Sequence, residues 1–180
     1  MAASSLVVDG CERQAVDILE GMQPVTEEQL RSSFINATED ELRRLPMPGL
    51  HESIWDEREY LGWRDMQAAQ LGYVSLWQGS ELVSIVVRSS GSLRSGIAAM
   101  CSMCHSTQPA TQVRLFTARF AGKKGLAGSS VGTYICESLS CPMIIRRASP
   151  HLTTPAQLER RGGAMLERLG RFVARVADEG

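Results

Sequence analysis

Nowhere in this chain does an apolar run approach the roughly 20 residues that a membrane helix needs, so no span is expected. The stretch from Met1 to Gly10 holds no basic segment followed by an apolar one, which argues against a secretory signal and for a cytoplasmic protein. The familiar catalytic signatures are missing too: no Gly-x-Ser-x-Gly, no P-loop, no His-Glu-x-x-His and no Gly-x-Gly-x-x-Gly. Acid runs such as Glu39-Asp40-Glu41 and Asp56-Glu57 sit in capping or solvated contexts that ask for no acid–base role. The expectation is a protein that is not an enzyme and has neither a small-molecule substrate nor a membrane partner. Aromatics are sparse at 6%, and they form no obvious base-stacking platform interleaved with the cations. What is present, 43% hydrophobic and 22% charged residues in 180, suits one folded domain rather than a disordered chain.

Net charge is only −1, but the charge is unevenly spread. Residues 1–60 carry 13 acids and 5 bases, whereas residues 61–180 carry 7 acids and 14 bases. Between Arg88 and Arg147, eight cations face a single acid, Glu137. Such a module favours a polyanionic or acidic partner, unless the acidic N-terminal part neutralises it within the molecule. Both readings stand at the level of sequence.

The element pattern reads as an α+β protein. Residues 1–25 form an N-terminal extension in which Ala15, Ile18, Leu19 and Met22 have helical spacing, and residues 26–180 form the main domain. Thr26 to Gln29 and Thr38 to Glu41 are capping boxes, each predicting a short helix. Residues 46–66, with two prolines, read as irregular chain anchored by Trp55, Tyr60 and Trp63. Tyr73–Trp77 and Leu82–Val87 flank Gly79-Ser80 as a hairpin, followed by a polar loop from Ser89 to Gly96. Val113–Phe120 alternates as a strand, Ala121–Gly132 reads as a flexible cationic loop, and Thr133–Cys136 as a strand end. A short helix is expected over Pro142–Ala148. A long one is expected from Thr154 to Asp178, with an apolar stripe of Leu158, Gly162, Met165, Leu169, Phe172 and Val176. Gly162-Gly163 predicts a weak point where that helix bends.

Four of the five cysteines form two close pairs, Cys101-x-x-Cys104 and Cys136-x-x-x-x-Cys141. Zinc takes four soft thiolates in a tetrahedron with bonds of about 2.3 Å, and each pair can supply one edge. If Cys136 ends a strand and Cys141 opens a helix, the helix N-terminus also favours thiolate charge. A knuckle plus ligands at a helix start is treble-clef geometry. Disulfides do not suit a cytoplasmic chain. A redox pair would need helical sequence after Cys104, where His105-Ser106-Thr107-Gln108-Pro109 stands instead. His105 could replace a cysteine, but four cysteines already fill the site. The spacing therefore predicts one structural zinc on Cys101, Cys104, Cys136 and Cys141. Cys11, His51 and His151 are read as ordinary residues.

Phe34-Ile35-Asn36, Leu61-Gly62-Trp63-Arg64-Asp65, Met100-Cys101-Ser102-Met103-Cys104 and Val131-Gly132-Thr133-Tyr134-Ile135-Cys136 followed by Cys141 together resemble the FBP-type family. Its members are elongation factor G-binding proteins, whose C-terminal treble-clef zinc finger is shared with fusidic acid resistance proteins of the FusB type. The resemblance runs from about Thr26 to Val176. It implies a small mixed or antiparallel sheet with a four-cysteine zinc finger, N-terminal short helices and a C-terminal helix, with the same four ligands. It also implies binding to elongation factor G on or near the ribosome. In the resistance proteins this promotes release of a factor locked there by fusidic acid. Those proteins precede the zinc domain with a helical bundle, for which the 25 residues ahead of the matching region leave no room, so the implied role is that of a translation factor rather than a resistance protein.

With the zinc position closed, function is expected on the surface around it. Tyr134, two residues before a ligand, is the first candidate for a partner contact, the other reading being a core tyrosine with its hydroxyl at the rim. Phe116 and Phe120 share a strand face, one expected in the core and one at the surface. Arg119, Lys123 and Lys124 either meet acidic surface or phosphate, or form a solvated charged loop. The competing function is a zinc protein that contacts ribosomal RNA through the basic 88–147 region, whose binding would fall steeply with salt.

Overall fold

The computed structural model describes residues 22–92, 96–147 and 153–178. The helix expected near residues 10–22 lies almost wholly outside them, as do Cys11 and His151. Both N-terminal capping boxes form. Thr26 caps α1 (Glu27–Ser32) and Thr38 caps α2 (Glu39–Arg43), with Gln29 and Glu41 bonding back to the cap backbone. Met22 and Val25, ahead of α1, are buried against Leu30, Leu61 and Leu82.

Among the described residues seven strands follow: β1 (Leu61–Arg64), β2 (Leu71–Gln78), β3 (Glu81–Ser92), β4 (Ala98–Met100), β5 (Thr107–Pro109), β6 (Val113–Arg119) and β7 (Ser130–Cys136). Five of them pair antiparallel in the order β1-β2-β3-β6-β7, and β4 and β5 form a separate two-stranded ribbon. The expected hairpin is present with Gly79 at its turn, where φ is +62°. β3 runs to Ser92, because Ser89 and Ser92 still find partners on β6 across a register shift, and the loop expected from Ser89 is correspondingly shorter.

Two further expectations are corrected. Residues 46–66 are not wholly irregular. Trp63 pairs opposite Tyr73 and joins an aromatic cluster with Phe34, ring centroids 5.1 and 6.4 Å away, which draws Leu61–Arg64 onto the sheet edge as β1. The supposed loop after β6 contains α3 (Gly122–Leu126), with Lys124 Nζ 4.2 Å from the Phe120 ring centre.

Phe34-Ile35-Asn36 serves as a tether. Asn36 donates from Nδ2 to the carbonyls of Val86 and Arg119 and accepts from the Val86 N–H through Oδ1. It thereby ties the N-terminal segment into β3 and to the end of β6.

After β7 come α4 (Cys141–Arg147) and α5 (Pro155–Ala177). α5 begins with a Thr154 cap and Pro155 in its first turn. It is continuous through Gly162-Gly163, contrary to the expected bend. A Cβ at Gly162 would lie 2.6 Å from Glu59 Oε1, so glycine here permits close approach of the helix to the body. Met165, Leu169, Phe172, Val173 and Val176 bury against the sheet and α4, each contributing roughly 1.5–3 kcal/mol of apolar burial. This core is continuous with the four buried cysteines.

Candidate metal centre

The β4–β5 ribbon turns through Cys101-Ser102-Met103-Cys104, with His105 in the left-handed region at φ 55° closing the knuckle. Cys101 Sγ accepts from the Met103 and Cys104 N–H groups at 3.3 and 3.5 Å, the contacts that orient a thiolate in such a turn. The second edge comes from the last residue of β7, Cys136, and the first of α4, Cys141. Leu139 between them is also left-handed, at φ 58°. Gln108 Nε2 donates to Cys136 Sγ at 3.1 Å, stabilising negative charge on that sulfur.

All four sulfurs are buried and lie within 4.8 Å of one another. The Cys101–Cys141 separation is 3.7 Å and the Cys104–Cys136 separation 3.5 Å. A tetrahedron with Zn–S bonds of about 2.3 Å has edges of about 3.8 Å, so the pocket fits a zinc tetrathiolate. Without a cation the sulfurs compete: hydrogen bonding with Cys101 pulls the Cys104 thiol far down, and the same partner pushes Cys136 and Cys141 up, with burial adding to the rise. A divalent ion removes this conflict by favouring all four thiolates together. One structural zinc occupies a four-cysteine site that leaves no position open to substrate.

The loop carrying Leu139 is held from an unexpected direction. The sheet curls so that β1 meets this loop, although β1 and β7 are opposite edges. Tyr60, fully buried, donates its hydroxyl to the Leu139 carbonyl at 2.8 Å and accepts from the Cys141 N–H at 3.3 Å. Burial, then the charge on Cys141, raises the Tyr60 pKa well above its ordinary value, so the hydroxyl stays a donor. Arg64 Nη1 donates to the Glu137 carbonyl at 2.8 Å. A Cβ on Gly62 would sit 2.2 Å from the Leu139 carbonyl oxygen, so only glycine lets β1 approach. Sequence reasoning noticed Leu61–Asp65 as a distinctive segment but missed this role. Its one visible signal is a glycine beside large aromatics next to Tyr60.

The proposed surface residues divide. Tyr134 is 41% exposed, and its carbonyl accepts from Ser102 N–H at 2.8 Å, which places it beside the knuckle. Met100, the residue before Cys101, is 59% exposed, as is Ile97 ahead of β4. Phe116 is 0% exposed and lies beneath the Arg64 guanidinium, so it is a core residue and not a partner contact. Phe120 is half-buried under Lys124, and Lys123 is exposed.

The basic 88–147 region is neutralised only in part: five of its cations form ion pairs, while Lys123 and Arg147 are exposed. Arg88 and Arg119 both pair with Glu41, Arg114 pairs with Glu137 at 2.6 Å, Arg146 with Glu59 at 2.9 Å and Lys124 with Asp178 at 3.8 Å. Two of these acids, Glu41 and Glu59, come from the acidic first third of the chain. Arg119 is thus engaged in a partly buried ion pair that ties α2 to the sheet.

A zinc knuckle, a β-hairpin and a helix that together supply four cysteines define a treble-clef zinc-finger protein. Residues 29–176 match the family described as FBP C-terminal treble-clef zinc-finger, and the chain belongs to that family. Among curated proteins none matches. Among solved structures the fold is similar to that of the fusidic acid resistance protein FusC, with a TM-score of 0.55 at 15% identity over 87% of this chain. The chain spans 60% of the length of FusC, and at that identity the likeness is one of fold.

Proposed function

We propose that this chain is a non-catalytic binding protein for elongation factor G that modulates the action or release of the factor at the ribosome. Membership of the FBP treble-clef family over residues 29–176 is the observation that carries this reading. The site supports it: a zinc with four cysteine ligands has no open position for chemistry and serves to hold a surface. That surface offers Tyr134 and Met100, exposed beside the knuckle. Aromatic anchors of this kind commonly dominate protein interfaces. Buried thiols on one zinc, with no need of disulfides, are consistent with a cytoplasmic setting. Release of a factor held by fusidic acid is the extension of the same reading, suggested by the likeness to FusC.

The test is retention of zinc-loaded protein on immobilised elongation factor G at two salt concentrations. A complex is expected at both, and Tyr134→Ala weakens it by about 2 kcal/mol, or roughly thirtyfold. Failure to retain the unaltered protein sinks the proposal. Added fusidic acid and stalled ribosomes then test the extension, by whether the protein speeds release of the factor.

A further inference from the structure

Five of the eight cations between Arg88 and Arg147 form ion pairs, and the longest remaining row of positive charge among the described residues lies on α5. This helix carries Arg160, Arg161, Arg168, Arg171 and Arg175, and no lysine. Among the described residues its only ion pair joins Arg171 to Glu167 at 3.8 Å, between side chains about 70% exposed, a contact that contributes little. Arg168 is held in place: its Nε donates to the Met103 carbonyl of the knuckle at 2.6 Å. Arg175 lies against the Phe172 ring, 5.7 Å from its centre.

These arginines border two adjoining clefts between α5 and the zinc knuckle. The first, about 520 Å³, has Cys104 and His105 on one side and Gln157, Arg160, Arg161 and Arg168 on the other. The second, about 330 Å³, continues past Arg168 to Arg171 and Arg175, with Ser102 and Thr133 opposite. No Asp or Glu lines either cleft. The result is a trough of guanidinium, amide and hydroxyl donors running from Arg160 to Arg175, about 22 Å at 1.5 Å per residue.

We infer that this trough binds the phosphodiester backbone of RNA. An extended row of fixed positive charges suits a linear polyanion. At about 3.4 Å per charge along a strand, its length covers roughly six phosphates. Guanidinium forks match phosphate oxygens in pairs, which a row of lysines does not. Hydroxyl and amide donors beside the arginines are the usual further partners of a nucleic acid backbone. The one phenylalanine of the lining, Phe172, is buried beneath Arg175 and His105 stands alone, so there is no row of rings on which bases could stack and the binding is indifferent to sequence. The inference stands on α5 and does not rest on the elongation factor G reading. It also moves the RNA-contacting surface away from the 88–147 region in which the sequence placed it.

The experiment is fluorescence anisotropy of a labelled, mixed-sequence single-stranded RNA of about 12 nucleotides with the zinc-loaded full chain. Micromolar binding is expected at about 50 mM salt. With four phosphate contacts the logarithmic salt slope is about −2.8, so binding falls about fiftyfold by 200 mM. A combined Arg160→Gln, Arg161→Gln, Arg175→Gln variant loses three contacts, its slope shrinks by about 2, and its affinity at low salt falls at least about tenfold. None of these three side chains makes a hydrogen bond or ion pair among the described residues, and zinc content and circular dichroism confirm an unchanged fold. The matching triple lysine variant restores the salt slope, and Lys123→Gln leaves binding unaltered. The inference is overturned if the unaltered chain does not bind, or if the glutamine variant keeps the full salt slope. It is equally overturned if a polyglutamate peptide of similar charge displaces the RNA as effectively as unlabelled RNA does, because the trough would then be a site for acidic protein. A glutamine variant that loses elongation factor G but keeps RNA would likewise overturn it.

Discussion

Replacing Tyr60 with phenylalanine removes a single oxygen and tests how the zinc loop is held. The ring stays, so packing in the core is conserved, but the Leu139 carbonyl and the Cys141 N–H lose their shared partner. Both groups are buried, and an orphaned buried donor or acceptor costs about 1–3 kcal/mol. The 3.3 Å contact to Cys141 is the longer and weaker of the two, which brings the expected total to about 2–3 kcal/mol. With a urea dependence of about 2 kcal/mol per molar, the unfolding midpoint of the zinc-loaded protein falls by about 1–1.5 M. Because Cys141 is a ligand, the same substitution also loosens the metal, and zinc passes to a chromogenic chelator faster. A midpoint shift below about 0.3 M together with unaltered zinc transfer would refute the idea that β1 braces the metal loop.

Gly62→Ala pushes a methyl group into the Leu139 carbonyl, a backbone atom with little room to yield, and lowers stability by at least about 2 kcal/mol in the same urea assay. Cys136→Ser leaves three thiolates and lowers zinc content below one ion per chain, measured by atomic emission after dialysis, and chelation of the native protein abolishes its cooperative unfolding transition. Glu41 is subject to opposing effects: burial raises its pKa, but hydrogen bonds from Thr38 and the guanidiniums of Arg119 and Arg88 outweigh this and hold it below 4.5. A depressed carboxyl stabilises the fold above its unfolded pKa and loses that contribution as pH falls through the folded value. Glu41→Gln therefore costs about 2 kcal/mol at pH 7, measured by denaturant titration, and the difference from the unaltered protein narrows below about pH 4.5.

The parts of this protein that were legible in the sequence are those set by local chemistry. Capping boxes at Thr26 and Thr38 need only a hydroxyl and a Glu or Gln three residues on, and both formed. Cysteine spacing announced the metal because four thiols in two close pairs have few other uses in one chain. β1 was hidden because Trp63 becomes a strand residue through Tyr73 and Phe34, partners distant in sequence. The brace from Tyr60, Gly62 and Arg64 was hidden for the same reason, since it depends on how far the sheet curls. Gly162 read as a weak point because propensity counts the helix alone, whereas the glycine serves contact with Glu59. Charge asymmetry was visible but not its resolution. Glu41 and Glu59 reach across the fold to pair with Arg88, Arg119 and Arg146, and the longest row of arginines lies on α5.

On the proposed reading the zinc-braced surface around Tyr134 binds elongation factor G. Titration calorimetry of the purified factor with zinc-loaded protein, repeated with Tyr134→Ala, tests it most directly. One-to-one binding at micromolar or tighter affinity, weakened roughly thirtyfold in the variant, is the predicted result. No heat of binding from a protein shown to be folded and to carry one zinc ion would rule out elongation factor G as the partner.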